Sequence, residues 1–265
     1  MEKVSRLRAS AKRQALRRIN CSDEEWQLRV DLACAYRLFF HLGWHRMVYN
    51  HISVRVPNSE HFLINPFGLL YREVTASNLL KIDLDGNKVV SSKYDVLKAG
   101  FVVHSAVHKH RRDANCVMHT HSVAGTAVSC LKDGLIGLDL GGMAFTNRIA
   151  YHDVEGVTLE TDESERIAVD LGDKAVMILR NHGLLAVGET IGDAFQDLYQ
   201  LERACEVQLA AQASGARLNL PSRDIQELVG RQSDPKVAMH MKTGNALQWD
   251  AMRRWMEDID PGFDS

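Results

Sequence analysis

The sequence predicts an α/β fold with a mixed, partly antiparallel sheet, on three observations. Strand-like apolar runs and helical repeats of apolar residues are interleaved along the 265-residue chain without a strict β-α-β-α rhythm. Several neighbouring strand candidates are separated by tight-turn residues, which join antiparallel pairs, rather than by segments long enough to cross over. No internal repeat occurs, and no linker is long enough to separate two domains, so the length is read as one large unit with appended ends.

Ser22 and Glu25 have capping-box spacing ahead of an apolar-rich stretch over 26–40 that breaks at Gly43, which predicts the first helix. Alternating runs over 52–56 and 61–64, separated by Pro57-Asn58-Ser59, predict a β-hairpin. Asn65-Pro66-Phe67-Gly68 breaks the chain, and a strand over 79–83 turns at Asp85-Gly86 into 88–91 as a second hairpin. Val103, Ala106 and Val107 mark a helix from about 100 to 110, followed by a short buried strand over 115–118 and a helix over 122–132. Arg148-Ile149-Ala150 is strand-like. Runs over 175–179 and 184–187 are buried strands with Asn181-His182-Gly183 as their tight connection. Thr190 caps a long helix to about Ala213, which Gly215 ends. The remainder carries Pro221, Pro235 and Pro261 and a short apolar helix over 249–256.

This gives a basic arm over 1–21, a main domain over 22–215 and an extension over 216–265 packed on the domain or on a neighbouring subunit. The arm holds seven basic side chains (Lys3, Arg6, Arg8, Lys12, Arg13, Arg17, Arg18) and one acid, Glu2. It lacks the Ser-rich, strongly amphipathic pattern of a transit peptide. Hydrophobic residues at 45% and charged residues at 25% exclude disordered and collagen-like classes. A net charge of −2 supplies no global field for nucleic acid or an anionic membrane, and no run of 18 apolar residues occurs. Five cysteines without a C-x-x-C pair or a secretory signal argue for a reducing compartment, so a cytoplasmic location is expected. The 12 histidines are clustered, which points towards metal or proton chemistry.

His119 and His121 lie two residues apart at the end of a strand, so both imidazoles point the same way and can share a divalent cation. His182, in the turn after another buried strand, is the third candidate. Three neutral nitrogens suit zinc, with Fe(II), Co or Mn as alternatives, and leave positions open for water or substrate. His104 and His108, one helical turn apart, could also chelate or could simply bond to backbone and solvent. His110 reads as a surface residue, while His51 and His152 are candidates for contacts with ligands or substrate.

In order, Asn50-His51-Ile52-Ser53-Val54-Arg55, Asn65-Pro66-Phe67-Gly68, His119-Thr120-His121 and Arg180-Asn181-His182-Gly183 resemble the class II aldolase/adducin family over about 24–215. Glu73-Val74-Thr75-Ala76-Ser77 and the run over 100–106 are similar to its adducin-like branch. The resemblance implies a three-layer α/β/α sandwich, a homotetramer with sites at subunit interfaces, and a divalent metal, typically zinc, on His119, His121 and His182. In the aldolases that metal binds a hydroxy-carbonyl substrate and stabilises an enediolate, which is Lewis-acid catalysis.

Some motifs depart from the family's. Where sugar-phosphate aldolases carry Ser-Ser-Glu, with serines that bind phosphate and the base and fourth ligand on the glutamate, this chain has Lys98-Ala99-Gly100. Their phosphate-loop Gly-Asn and Ser-Gly pairs correspond here to Asn50-His51 and Phe67-Gly68. A phosphorylated sugar is therefore not the expected substrate, and Asn50, His51, Phe67, Gly68 and His152 are assigned to substrate binding. Glu73 is a candidate for proton transfer, and Tyr151 and His152, after the strand-like Arg148-Ile149-Ala150, are candidates to supply an acid from a neighbouring subunit, as a tyrosine does in the family's aldolases. The expected activity is a metal-dependent lyase, aldolase- or decarboxylase-like, on a small non-phosphorylated hydroxy- or oxo-acid. The alternatives are an iron-dependent oxygenase and a non-catalytic adducin-like binding module. Cytoskeletal binding is not expected, because Glu257-Asp258-Ile259-Asp260 stands where adducins continue into a basic tail.

Overall fold

The computed structural model describes residues 19–156 and 161–265, so the basic arm lies outside the described residues except for its last three. Among them, seven strands form one sheet: β1 (His51–Arg55), β2 (Phe62–Ile64), β3 (Leu80–Ile82), β4 (Cys116–Thr120), β5 (Ile149–His152), β6 (Val176–Leu179) and β7 (Gly183–Gly188). Their order is β3-β2-β1-β4-β7-β6-β5. Every neighbouring pair is antiparallel except β5 and β6, which are parallel and joined through helix α5 (Thr161–Leu171). The other helices are α1 (Asp23–His41), α2 (Lys98–His110), α3 (Val123–Ser129), α4 (Leu140–Met143), α6 (Ile191–Ala213), α7 (Arg223–Gln232) and α8 (Met239–Ile259).

Successive strand residues face opposite sides of a sheet, and the burial here follows that alternation. Ile52, Val54, Cys116, Met118, Leu184 and Ala186 join α1, α6 and α8 in one core. Val117, Met177, Leu185 and Val187 join Val103 and Val107 of α2 and Ile167 and Leu171 of α5 in the other. The result is the three-layer α/β/α sandwich.

The ends of several elements differ from the sequence reading for local reasons. Ser22 accepts the Glu25 N–H at 3.1 Å, but the Glu25 carboxylate does not return to cap the helix. It is buried between Arg29 (2.9 Å) and Lys81 (2.7 Å), tying α1 to β3. The second hairpin reduces to one bridge between Ile82 and Lys88, whose ammonium meets the Ser92 and Tyr94 carbonyls and Asp95. Helix α3 stops at Ser129, short of Lys132, where the chain turns towards Gly134 at φ +61°. Beyond Gly215, α8 is far longer than 249–256 and lies on the domain: Met256 is fully buried, Trp249 packs on Phe195, and Asp260 pairs with Arg37 at 2.7 Å. No helix among the described residues is long and apolar enough to cross a membrane.

Candidate metal centre

Antiparallel pairing brings chemically active residues to one end of the sheet. There β4 runs out at His119 and Thr120, β7 begins just after His182, β1 begins at His51, and β5 ends at His152. His51 pairs with His119 in register, and His119 with Leu185. The turn carrying His182 is built for close approach. Asn181 adopts φ +58°, which asparagine tolerates better than most residues. Gly183 lies so near β4 that a Cβ there would stand 2.2 Å from the Thr120 carbonyl. The turn is pinned to α3 by the Asn181 N–H on the Ser129 carbonyl, 3.1 Å.

The Nε2 atoms of His119, His121 and His182 converge, with separations of 2.7, 2.8 and 3.3 Å. The Nδ1–H of His119 donates to the Leu184 carbonyl at 2.7 Å, so its Nε2 presents a lone pair. Burial and the facing imidazoles hold the pKa of His119 well below the ordinary value, and burial first lowers that of His121, to about 4, and that of His182. All three are neutral near pH 7, as metal ligands must be. Three such nitrogens cannot satisfy one another with protons, since each contact needs a donor and His119 has none to offer on this side. One cation answers all three contacts, and a point at the usual zinc–nitrogen distance of about 2.0–2.1 Å from each exists above so small a triangle. Among the described residues this is the one group whose ligand atoms lie mutually within 4.8 Å.

His104 and His108 do not form a second chelate. They sit in a buried chain running from His51 Nδ1 to His104 Nε2 (2.7 Å), His104 Nδ1 to Ser53 Oγ (2.5 Å) and Ser53 Oγ to His108 Nε2 (2.7 Å). One proton per contact satisfies the chain with every ring neutral, and burial depresses all three pKa values, that of His108 to about 3. His110 is exposed. The His51 ring lies against His119, centroids 5.3 Å apart, and fills the space a side chain at Gly100 would need.

Asn50, next to His51, is buried and spends its carboxamide on the chain itself, accepting the Arg46 N–H and donating to the Trp44 carbonyl, each at 3.0 Å. Phe67 and Gly68 follow β2 at the same end of the sheet, with Phe67 37% exposed beside Tyr49. The Glu73 carboxylate accepts the Leu70 N–H at 2.8 Å in a short 3-10 turn. Tyr151 faces the other side of the sheet from His152, its ring under the Arg180 guanidinium and its hydroxyl accepting the Leu135 N–H at 3.3 Å. Neither Glu73 nor Tyr151 contacts the three histidines within this chain's described residues.

Sequence reasoning missed three residues. Arg46, exposed in the loop entering β1, has no carboxylate partner among the described residues, and its charge helps lower the pKa of His121 and His182. Asp170 on α5 holds His152. Glu202, buried on α6, accepts hydroxyl hydrogens from Thr120 (2.6 Å) and Ser122 (2.5 Å) on either side of His121. Its signal was an acid on the apolar stripe of a helix, between Leu198 and Cys205. Burial raises its pKa to about 7, against the lowering effect of those two hydroxyls. Between the ordinary carboxylate range and pH 7 the folded state therefore holds a proton that the unfolded chain releases, and stability falls as pH rises through that window. Glu202→Gln is expected to flatten the dependence, gaining roughly 2–3 kcal/mol over the parent at pH 8 and little at pH 5, read from thermal melts.

A charged cleft of about 320 Å³ lies at the opposite end of the sheet, but several of its charges neutralise one another, Lys236 with Asp173 and Lys242 with Glu189. The chemistry gathers at the histidine end.

An α/β/α sandwich with three imidazoles converging at one sheet end has the architecture of a class II aldolase, with residues that could hold a metal. Residues 30–209 match the family described as the Class II Aldolase and Adducin N-terminal domain, and the chain belongs to the class II aldolase/adducin family. It is 45% identical over 245 residues to a Pseudomonas aeruginosa protein named as a candidate class 2 aldolase, covering 91% of this chain and 93% of that one. It is 42% identical to rat alpha-adducin over 84% of this chain but only 31% of the adducin. Among solved structures, an aldolase II superfamily protein from Pseudomonas syringae has a TM-score of 0.86 at 44% identity, covering 92% of this chain and 98% of that chain. An L-fuculose 1-phosphate aldolase from Glaciozyma antarctica has a TM-score of 0.78 at 28% identity, with coverage of 94% and 98%.

Proposed function

We propose that this chain is a divalent-metal-dependent lyase, aldolase- or decarboxylase-like, acting on a small non-phosphorylated hydroxy- or oxo-acid. The observation that carries this reading is the convergence of three neutral Nε2 atoms, one of them oriented by the Leu184 carbonyl. A bound divalent ion, zinc first and otherwise Fe(II), Co or Mn, would supply Lewis acidity that polarises a substrate oxygen. The chain's own residues do the rest. Arg46 supports the choice of an acid, because an exposed guanidinium with no carboxylate partner among the described residues matches a substrate carboxylate in shape and charge. The internal engagement of the Asn50 carboxamide removes one donor from any phosphate site. Homotetramer assembly, with Tyr151 offered to a neighbour's site, and a cytoplasmic location belong to the same proposal, as does an absence of nucleic-acid, membrane and cytoskeletal partners.

The test is carbon–hydrogen exchange. Zinc-loaded protein in D2O is given hydroxypyruvate, dihydroxyacetone or dihydroxyacetone phosphate, and loss of the methylene signal is followed by proton NMR. Zinc-dependent exchange that is fastest with hydroxypyruvate is expected. Arg46→Ala should raise the half-saturating hydroxypyruvate concentration about 10- to 100-fold, the loss of a charge-assisted contact, and leave dihydroxyacetone unchanged. Absence of metal-dependent exchange with every probe overturns the lyase reading, and iron with oxygen uptake would put the oxygenase in its place.

A further inference from the structure

His152 closes β5 with its ring on the same sheet face as His51 and His119. Its Nδ1 lies 2.7 Å from Asp170 Oδ2 on α5, and the carboxylate accepts the Nδ1–H. That contact fixes the tautomer and leaves a lone pair on Nε2. The side chain is only 5% exposed, yet among the described residues Nε2 has no hydrogen-bond partner. Among the described residues, Glu155 and Glu163 bring carboxylate oxygens to 3.9 and 3.8 Å from it, beyond hydrogen-bond reach. A buried acceptor left in this way costs about 1–3 kcal/mol, so it calls for a water or a ligand group.

The room for one exists. Glu163 and His152 line a cavity of about 10 Å³ together with His182, Val103, Leu179 and Ile167. That volume holds about one water. The unpartnered nitrogen and one of the three converging histidines thus share a single water-sized space, while no side chain at Gly100 can supply a base.

We propose that His152, positioned by Asp170, is the proton carrier of the metal centre, working through a water in this cavity; the proposal rests on the lyase reading. When the carbon–hydrogen bond beside a substrate carbonyl breaks, its electron pair stays with the substrate as an enolate. The proton passes to the cavity water, which gives one of its own protons to Nε2. The imidazolium formed is stabilised by the Asp170 carboxylate, and the reverse transfer returns the neutral ring. The groups facing His152 are Asp170, Glu163 and Arg166 on α5, Asp153 and Glu155 in the following loop, and Arg180 and His182 from the β6–β7 turn. Glu155 is taken up by Arg166 and Asp153 lies 3.4 Å from Arg180, so Asp170 is the carboxylate in contact with the ring.

The test uses the hydroxypyruvate exchange assay with zinc content measured alongside. His152→Asn is expected to slow exchange at least 100-fold while the protein keeps its zinc and its half-saturating probe concentration. Asp170→Asn is expected to slow it about 10-fold, with Asp170→Glu restoring most of the rate. In the zinc-free protein, nitrogen-15 spectra should give His152 as the Nδ1–H tautomer, and Asp170→Asn should shift it towards the other tautomer. Exchange in His152→Asn equal to the parent overturns the proposal alone, as does a tautomer indifferent to Asp170→Asn. No metal-dependent exchange in the parent overturns the lyase reading and this proposal with it.

Discussion

Adding zinc to the metal-free protein is expected to raise its melting temperature by about 8–16 °C, and His119→Gln to abolish the rise. At a zinc concentration ~1,000 times the dissociation constant, binding to the folded state contributes about 4 kcal/mol, and a chain near this size gains about 2–4 °C per kcal/mol. His119 is the residue to change because it alone combines full burial, a ring fixed by the Leu184 carbonyl and Nε2 contacts with both other histidines. Glutamine cannot supply a ring nitrogen at that point while also donating to Leu184. The variant should still fold without metal, because the apolar cores on the two sheet faces do not depend on the three rings. Its metal-free melting temperature is the control. A zinc-dependent rise that survives in His119→Gln would remove the metal centre, and failure of the parent to fold without zinc would make the ion structural.

The main architecture was legible because period and punctuation agree. Ser22 and Thr190 both cap helices where their sequence context predicts, and buried β6 and β7 are joined by the Asn181-His182-Gly183 turn as read. Helix α5 was not legible because only Ile167 and Leu171 join the second core cluster, too few apolar positions to mark a period. The histidine triad was readable as two partners at i and i+2 with a distant third, but not as a fact of space. The strand order that sets β4 beside β7 comes from long-range packing, and nothing local in residues 116–121 specifies it. Arg46, Asp170 and Glu202 escaped for the same reason. Each acts on groups far along the chain, and only Glu202 left a local sign, its place on the apolar stripe of α6.

The second large effect concerns the position where a carboxylate is missing. Gly100 opens the buried side of α2 against β1, and a Cβ built on it would stand 2.3 Å from His51 Cδ2 and 2.7 Å from its Nε2. The ring cannot simply swing aside, because its Nδ1 is bonded to His104 and its face lies on His119. Gly100→Ala is therefore expected to destabilise the protein by about 1–3 kcal/mol, the usual range for overpacking a filled core. His51→Asn empties that volume and breaks the contact with His104, so alone it also destabilises. Combined, the two should cost less than their sum by about 1 kcal/mol or more, because the smaller side chain removes the clash that Gly100→Ala creates. Denaturant melts of the four proteins read this coupling directly. Strict additivity would mean that His51 does not occupy the space beside Gly100, and a glutamate placed there could then reach the triad without any change at position 51. With coupling, Gly100→Glu alone yields a strained protein without a usable carboxylate, and a base at that position requires His51 to give way first.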